Sequence, residues 1–297
     1  SEVFTCPECT GEVVFLEEAL DPETKRLKDK FPCPECGAEV TKRRLERLVV
    51  SRFDATLRGT VQAPKRVPVL IQYEIGGERH EKQLDAQDLE IIRKVSELSL
   101  PPEVPVERLP YMHMTHERAR MDVAGITHVH HFFLPRAAQS LGAIWRRAIA
   151  EEDPRLRNML LFFAEQALWT CSALNRYRPT GYSQVSQYLS GVYFVPSQHS
   201  ELAPWYVLDG KLKRLARAFE PLRAQGVSVA TTTGDCAKID APNDSLDYVF
   251  TDPPFGENIY YADLNFLVEA WHRVLTNSGP EAIVDRVKKK TSLVYQD

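Results

Sequence analysis

The stretch LDYVFTDPPFGENIYYADLNFLVEAW, Leu246–Trp271, decides how the fold of this chain is read. Leu246–Phe250 is a short apolar run that predicts a buried strand. Asp252-Pro253-Pro254-Phe255 stops it, because proline brings no N–H to a ladder and fixes φ. The residues ADLNFLVEAWHRVLTN, from Ala262, then predict a helix. Upstream, VSVATTT reads as another strand and GDCAKID, from Gly234, as a loop. Strand, loop, strand and helix in this order belong to a parallel α/β sheet. Only two strands and one full helix are visible, so the expected sheet is partial.

Working outward, the chain has 297 residues, 43% of them apolar. That suffices for two domains, or for one large domain with an insertion. A net charge of -4 argues against a uniformly basic coat for nucleic acid, although a local basic face remains open. No apolar run approaches a membrane span and no signal peptide opens the chain, so no membrane partner is expected. Ser1 is not a start methionine, and a cysteine knuckle follows within a few residues. The expectation is a piece of a longer polypeptide.

Four regions are expected. Residues 1–46 hold two cysteine knuckles, joined by hairpin arms around a polar tip at Asp21–Thr24. Residues 47–110 mix a hairpin turning at Gly76–Gly77 with a helix capped by Asp85, and end in a proline-rich linker. Residues 111–225 are mostly helical. One helix opens at Pro135, and a second is capped by Asp153 and runs through RLRNMLLFFAEQALWTCSALNRY. That second helix is apolar around much of its circumference and is expected between layers. A third runs from about Pro204 to Ala224. Residues 226–297 carry the partial sheet.

The cysteines give the sharpest signal. Cys6 and Cys9, then Cys33 and Cys36, form two C-x-x-C knuckles, each with Pro-Glu inside. Thiolates at i and i+3 around a tight turn can face one ion, and a hairpin brings the second pair across. Four sulfur ligands favour tetrahedral Zn2+ with no open position, which is a structural site. Paired knuckles with Cys171 and Cys236 left single fit a reducing, cytoplasmic setting better than a secreted disulfide framework. Lys42, Arg43, Arg44 and Arg47 follow the second knuckle; a solvated face and phosphate contacts explain that run equally well. His113, His116, His128, His130 and His131 are close in sequence. A second metal site there lacks an acidic or cysteine partner at a suitable spacing, so packing histidines are the expectation.

The turn at Asp252 suits a particular chemistry. An exocyclic base amine is a poor nucleophile, because its lone pair is delocalised into the ring. Activating it needs acceptors for both N–H groups. An aspartate carboxylate offers one, and the carbonyl of the following proline the other, held in aim by the fixed backbone. An aromatic ring next in line can stack on a flipped-out base. The competing explanation is a plain strand terminator.

DPPF at Asp252–Phe255 resembles the catalytic motif of amino-group DNA methyltransferases that use S-adenosylmethionine. With the ribbon, the chain resembles the adenine-specific DNA methylases containing a zinc ribbon, over Thr233–Trp271 and over the knuckles. The resemblance implies a Rossmann-like methyltransferase domain, DNA as partner, and Asp252, Pro253, Pro254 and Phe255 as catalytic residues. It implies Asp235 near the adenine of S-adenosylmethionine. Aspartate at the first motif position leans towards adenine over cytosine. An RNA base is the alternative substrate, and a non-catalytic zinc-ribbon module for DNA binding or assembly the alternative class.

The pattern is incomplete. A glycine-rich turn of the F-x-G-x-G kind, which lets backbone approach the methionine part of the cofactor, is not in the sequence. Neither is the acidic residue that ends the next strand. The expectation is therefore a chain that needs the remainder of the enzyme, or a partner subunit, for its cofactor half.

Overall fold

The computed structural model describes residues 1–179, 183–185, 193–221, 229–232, 234, 238–239, 241–252, 256–257 and 259–292. Its N-terminal part is built from short antiparallel strands. β1 (Val3–Thr5) pairs with β2 (Glu12–Val14), a five-residue helix α1 (Phe15–Ala19) follows, and β3 (Lys30–Pro32) pairs with β4 (Glu39–Thr41). β5 (Glu46–Arg47) returns to the free edge of β1. The polar tip lies where the sequence puts it: Asp21 Oδ1 accepts the N–H groups of Glu23 and Thr24, and Leu20 bridges Leu27. The first arm, expected as all strand, is half helix. Phe4, Phe15 and Phe31 fill the small core edge to face, with centroids 5.9 and 6.1 Å apart.

Two hairpins follow, β6 (Val49–Asp54) with β7 (Gly59–Pro64) and β8 (Ile71–Ile75) with β9 (Glu78–Lys82). The second turns at Gly76 and Gly77, both at positive φ, as a tight hairpin requires. The Asp85 carboxylate then caps α2 (Ala86–Ser96) in a reciprocal box with Asp88. None of α2 is buried, and Leu89 and Leu98 face solvent.

The main core joins the helical region to the C-terminal helix. α3 (Pro135–Ile149), α4 (Pro154–Glu165), α5 (Pro204–Phe219) and α6 (Tyr261–His272) pack with the turns at His113–Glu117 and Val129–Phe132. Trp271 is 1% exposed, between Phe133 at 5.5 Å and Trp145 at 5.1 Å. The Tyr193 hydroxyl donates to the carbonyls of Asp263 and Leu264, at 2.8 and 3.1 Å. Asp263, fully buried, accepts from Lys288 Nζ at 3.0 Å and from the Met114 N–H at 3.2 Å. A buried carboxylate is tolerable only with such partners.

Two expectations are corrected. α4 stops at Glu165 and is not sandwiched between layers: Leu156, Met159 and Phe162 are exposed and only Ala164 is buried. Side-chain bonds compete with the helix beyond it. Ser172 Oγ donates to the Trp169 carbonyl, and Asn175 Nδ2 donates to the carbonyls of Thr170 and Ser200. The buried apolar weight lies in those turns, at Ala167, Leu168, Cys171 and Leu174.

The second correction concerns Leu246–Phe250, which forms no strand: Tyr248 is 80% and Phe250 79% exposed. Among the described residues every strand pair is antiparallel, and none includes this segment. Without a neighbour its backbone has no ladder to join, and apolar side chains alone do not make a strand. Residues 229–232 form no strand either. The observed class is mixed α/β with small antiparallel sheets, and no parallel Rossmann-like sheet is present among the described residues.

Trp271→Ala should cost about 3–5 kcal/mol, the range for a large buried aromatic. Urea unfolding followed by circular dichroism and by the fluorescence of the three remaining tryptophans checks it. A cost under about 1 kcal/mol would mean that α6 is not part of this core.

Candidate metal centre and candidate catalytic turn

The two knuckles are copies of one backbone device. Cys6 N–H donates to the Gly11 carbonyl and Thr10 N–H to the Cys6 carbonyl, both at 2.9 Å. Cys33 N–H donates to the Ala38 carbonyl and Gly37 N–H to the Cys33 carbonyl, at 2.8 and 2.9 Å. The residue after the second cysteine has positive φ in each, 61° at Thr10 and 74° at Gly37. Each pair of thiols is thereby turned to one side. Gly11 also has to be glycine for space, since a Cβ there would lie 2.6 Å from Glu35 Cγ on the facing knuckle.

The four sulfurs converge. Cys6 Sγ lies 4.0 Å from Cys36 Sγ, and Cys9 Sγ 3.7 Å from Cys33 Sγ. All four lie within 4.8 Å of one another. Sulfurs around a tetrahedral zinc, each about 2.3 Å from it, are about 3.8 Å apart. Backbone N–H groups of Glu8 and Gly11 point at Cys6 Sγ and Cys9 Sγ, both at 3.4 Å. Such donors favour thiolates. The Cys33 thiol is lowered to about 7 by the Cys36 N–H foremost, against the opposing effect of burial. Cys9, despite the Gly11 N–H that lowers it, is pushed up to about 12 by the neighbouring thiols and burial, so a metal-free tetrad is not fully ionised. The tetrad can therefore hold one ion such as zinc, with every position filled by sulfur.

The basic run beside it is largely engaged within the ribbon. Lys42 Nζ lies 4.7 Å over the Phe15 ring, Arg44 pairs with Glu8, and Arg47 Nε lies 3.1 Å from Glu2. Glu2 is fully buried and also pairs with Arg66 at 3.2 Å.

The candidate catalytic turn is only partly described. Pro253, Pro254, Phe255 and Asp235 lie outside the described residues, as does Cys236. Asp252 is exposed at the end of the unpaired segment. Just beyond the turn the chain is anchored. Val284 N–H donates to the Gly256 carbonyl at 3.2 Å, and the buried Tyr260 stacks on His113, with centroids 4.5 Å apart. Tyr261 is partly exposed at the start of α6. Among the described residues, a Cβ on Gly234 or Gly256 would meet nothing within 4 Å.

The histidines divide into two groups. His113 and His116 stack on Tyr260 and Tyr111. His130 and His131 instead meet Asp54, a residue 76 positions from His130 that spacing could not have nominated. Burial would raise the Asp54 carboxyl, but hydrogen bonds from His130 and His131 hold it well below its usual range. Burial lowers His131 to about 4. No sequence signal pointed to Glu2 either.

No family model, no curated protein and no solved structure matches this chain. Among the described residues no helix is long and apolar enough to cross a membrane.

The unequal knuckles give a test of the metal centre. A β-branched residue at positive φ is strained, typically by about 1–2 kcal/mol. Thr10→Gly should therefore stabilise the ribbon by about 1 kcal/mol, and Gly37→Thr should destabilise it by a similar amount. Competition with a chelator at fixed free zinc, read as the shift in its midpoint, checks both. Equal midpoints for the two variants would rule out the shared geometry.

Proposed function

We propose that this chain is the zinc-ribbon and catalytic-turn portion of a methyltransferase that acts on the exocyclic amine of adenine in DNA. The observation carrying this reading is the sequence order around Asp252: an apolar run, Asp-Pro-Pro-Phe, then the helix Tyr261–His272. In this reading the Asp252 carboxylate accepts one amine hydrogen and the Pro253 carbonyl accepts the other. Pro254 holds the turn and Phe255 stacks on the flipped base. Partial positive charge developing on the amine nitrogen is then met by Asp252. The closed four-cysteine site would take zinc as a scaffold and has no part in the chemistry.

S-adenosylmethionine would supply the methyl group, but this chain's residues do not fit it. The sequence has no F-x-G-x-G turn, and among the described residues no atom lies within 4 Å of where a Cβ on Gly234 or Gly256 would stand. The cofactor half, Asp235 apart, is thus assigned to a further segment or a partner subunit. That segment would also bring the neighbouring strand that Leu246–Phe250 lacks.

A second reading is supported by that same unpaired segment. A zinc-ribbon module for nucleic-acid binding or assembly, without catalysis, needs no parallel sheet. Phe250 and Tyr248 would then be contact residues rather than core.

The test is to express the native gene product whole in a host lacking DNA adenine methylation and compare its DNA and RNA by mass spectrometry with those of the same host without the gene, counting only added methylation. N6-methyladenine in DNA, lost by about a hundredfold or more in Asp252→Ala, is expected. Phe255→Ala should weaken base holding more than turnover. Methylated base in RNA alone would move the substrate, and none in either would favour the module. Methylation persisting in Asp252→Ala would contradict the assignment of the turn.

A further inference from the structure

We propose that Asp54, His130 and His131 form a second metal site, for a divalent first-row transition ion, which pins the β6–β7 hairpin to the helical body. Asp54 Oδ2 lies 3.0 Å from His130 Nε2 and 2.9 Å from His131 Nε2. One ligand atom from each residue lies within 4.8 Å of the others; both histidines are buried and the Asp54 side chain is 8% exposed. Two imidazoles and a carboxylate suit zinc, iron(II) or cobalt(II) better than calcium or magnesium. Neighbouring ligand atoms are about 3.0 Å apart around a six-coordinate ion and about 3.3 Å apart around a tetrahedral one. Both carboxylate–imidazole distances already match that spacing, and the two Nε2 atoms lie within 4.8 Å of each other.

The carboxylate is preorganised. Asp54 closes β6, opposite Gly59, at the mouth of a four-residue loop. Its Oδ1 accepts the N–H groups of Thr56 and Leu57 at 2.9 and 3.0 Å. Oδ2 is thereby aimed at the histidines. Those stand on the tight turn Val129–Phe132, all four residues of which are buried. Adjacent residues on an extended strand would point to opposite faces; the tight turn lets both rings reach one point, with centroids 4.3 Å apart.

The carboxylate attracts a cation, against the positive charge of Arg52 and Arg108 nearby. Among the described residues, the only side chains in ion-pair reach of the Asp54 carboxylate are the two imidazoles. With neutral rings the cluster carries one buried negative charge, and buried charges are normally paired or bound to metal. The proton arrangement can adapt. Without an ion, both Nε2 atoms carry hydrogen and donate to Asp54. His131 Nδ1 then accepts the Thr127 N–H at 3.2 Å. With an ion, the Nε2 lone pairs face it, His131 Nδ1–H turns to the Thr127 hydroxyl at 3.3 Å, and the Thr127 N–H gives up its bond to that nitrogen. That hydroxyl donates onward to His128 Nδ1 at 2.9 Å. A metal-bound histidine ordinarily has such a partner on its second nitrogen; His131 has one, and His130 Nδ1 has none among the described residues. The His128 ring lies 5.4 Å from that of His131.

The experiment is a cobalt(II) titration of the reduced, metal-free full chain under anaerobic conditions. The four-cysteine site should fill with intense sulfur-to-cobalt bands that saturate at one equivalent. A second equivalent should bind with weak visible bands and no sulfur charge transfer. Asp54→Asn and His131→Gln should each lose the second equivalent while the sulfur bands stay unchanged, which also shows that the ribbon has folded. Saturation of all binding at one equivalent in the native chain overturns the site. So does a second equivalent that survives both substitutions, because the ion then sits elsewhere.

Discussion

Four thiols within 4.8 Å of one another constrain everything N-terminal in this molecule. As thiolates they repel, and as thiols they are poor substitutes for packed side chains. Only a cation turns that convergence into an attraction, and then it contributes folding free energy directly. The ribbon has little else to rest on. Its own core is a handful of residues around Phe4, Phe15 and Phe31. Chains of that size rarely fold without a metal or a disulfide.

The ribbon in turn positions the rest through one buried carboxylate. Glu2 ties β5 through Arg47 and the segment after β7 through Arg66, whose guanidinium also donates to the Ala124 carbonyl at 3.3 Å. Beside it, Gly125 sits at φ 74°, so close that a Cβ would be 2.8 Å from Ala63 Cα. Removing one partner from such a pair leaves a buried charge, which is why the seam is stronger than its count of bonds suggests. The Asp54 cluster lies along the same seam, one hairpin length away. Metal, ion pair and close backbone contact thus act on a single joint between the antiparallel strands and the helical core.

Local signals were readable where the chemistry is local. Two C-x-x-C knuckles, the Gly76–Gly77 turn, the Asp85 box and the Asp153-Pro154 start each depend on residues within a few positions, and each lies where the sequence puts it. Signals that need a partner from far along the chain were not. Leu246–Phe250 has a strand's composition, but strand formation depends on a neighbour. α4 has an all-round apolar pattern, yet the side-chain bonds of Ser172 and Asn175 decide where the chain leaves the helix. Asp54 meets His130 and His131 only because a hairpin folds back on a turn 76 residues later. The candidate catalytic turn rests on the sequence, since residues 253–255 and Asp235 lie outside the described residues.

Zinc K-edge absorption fine structure, recorded on the reduced chain loaded with one equivalent of zinc, tests the founding constraint most directly. Four sulfur scatterers at about 2.3 Å, with no nitrogen or oxygen shell, are the result this structure predicts. A shell of nitrogen and oxygen alone, or a chain whose knuckle cysteines are found in disulfides and take up no zinc, would contradict it.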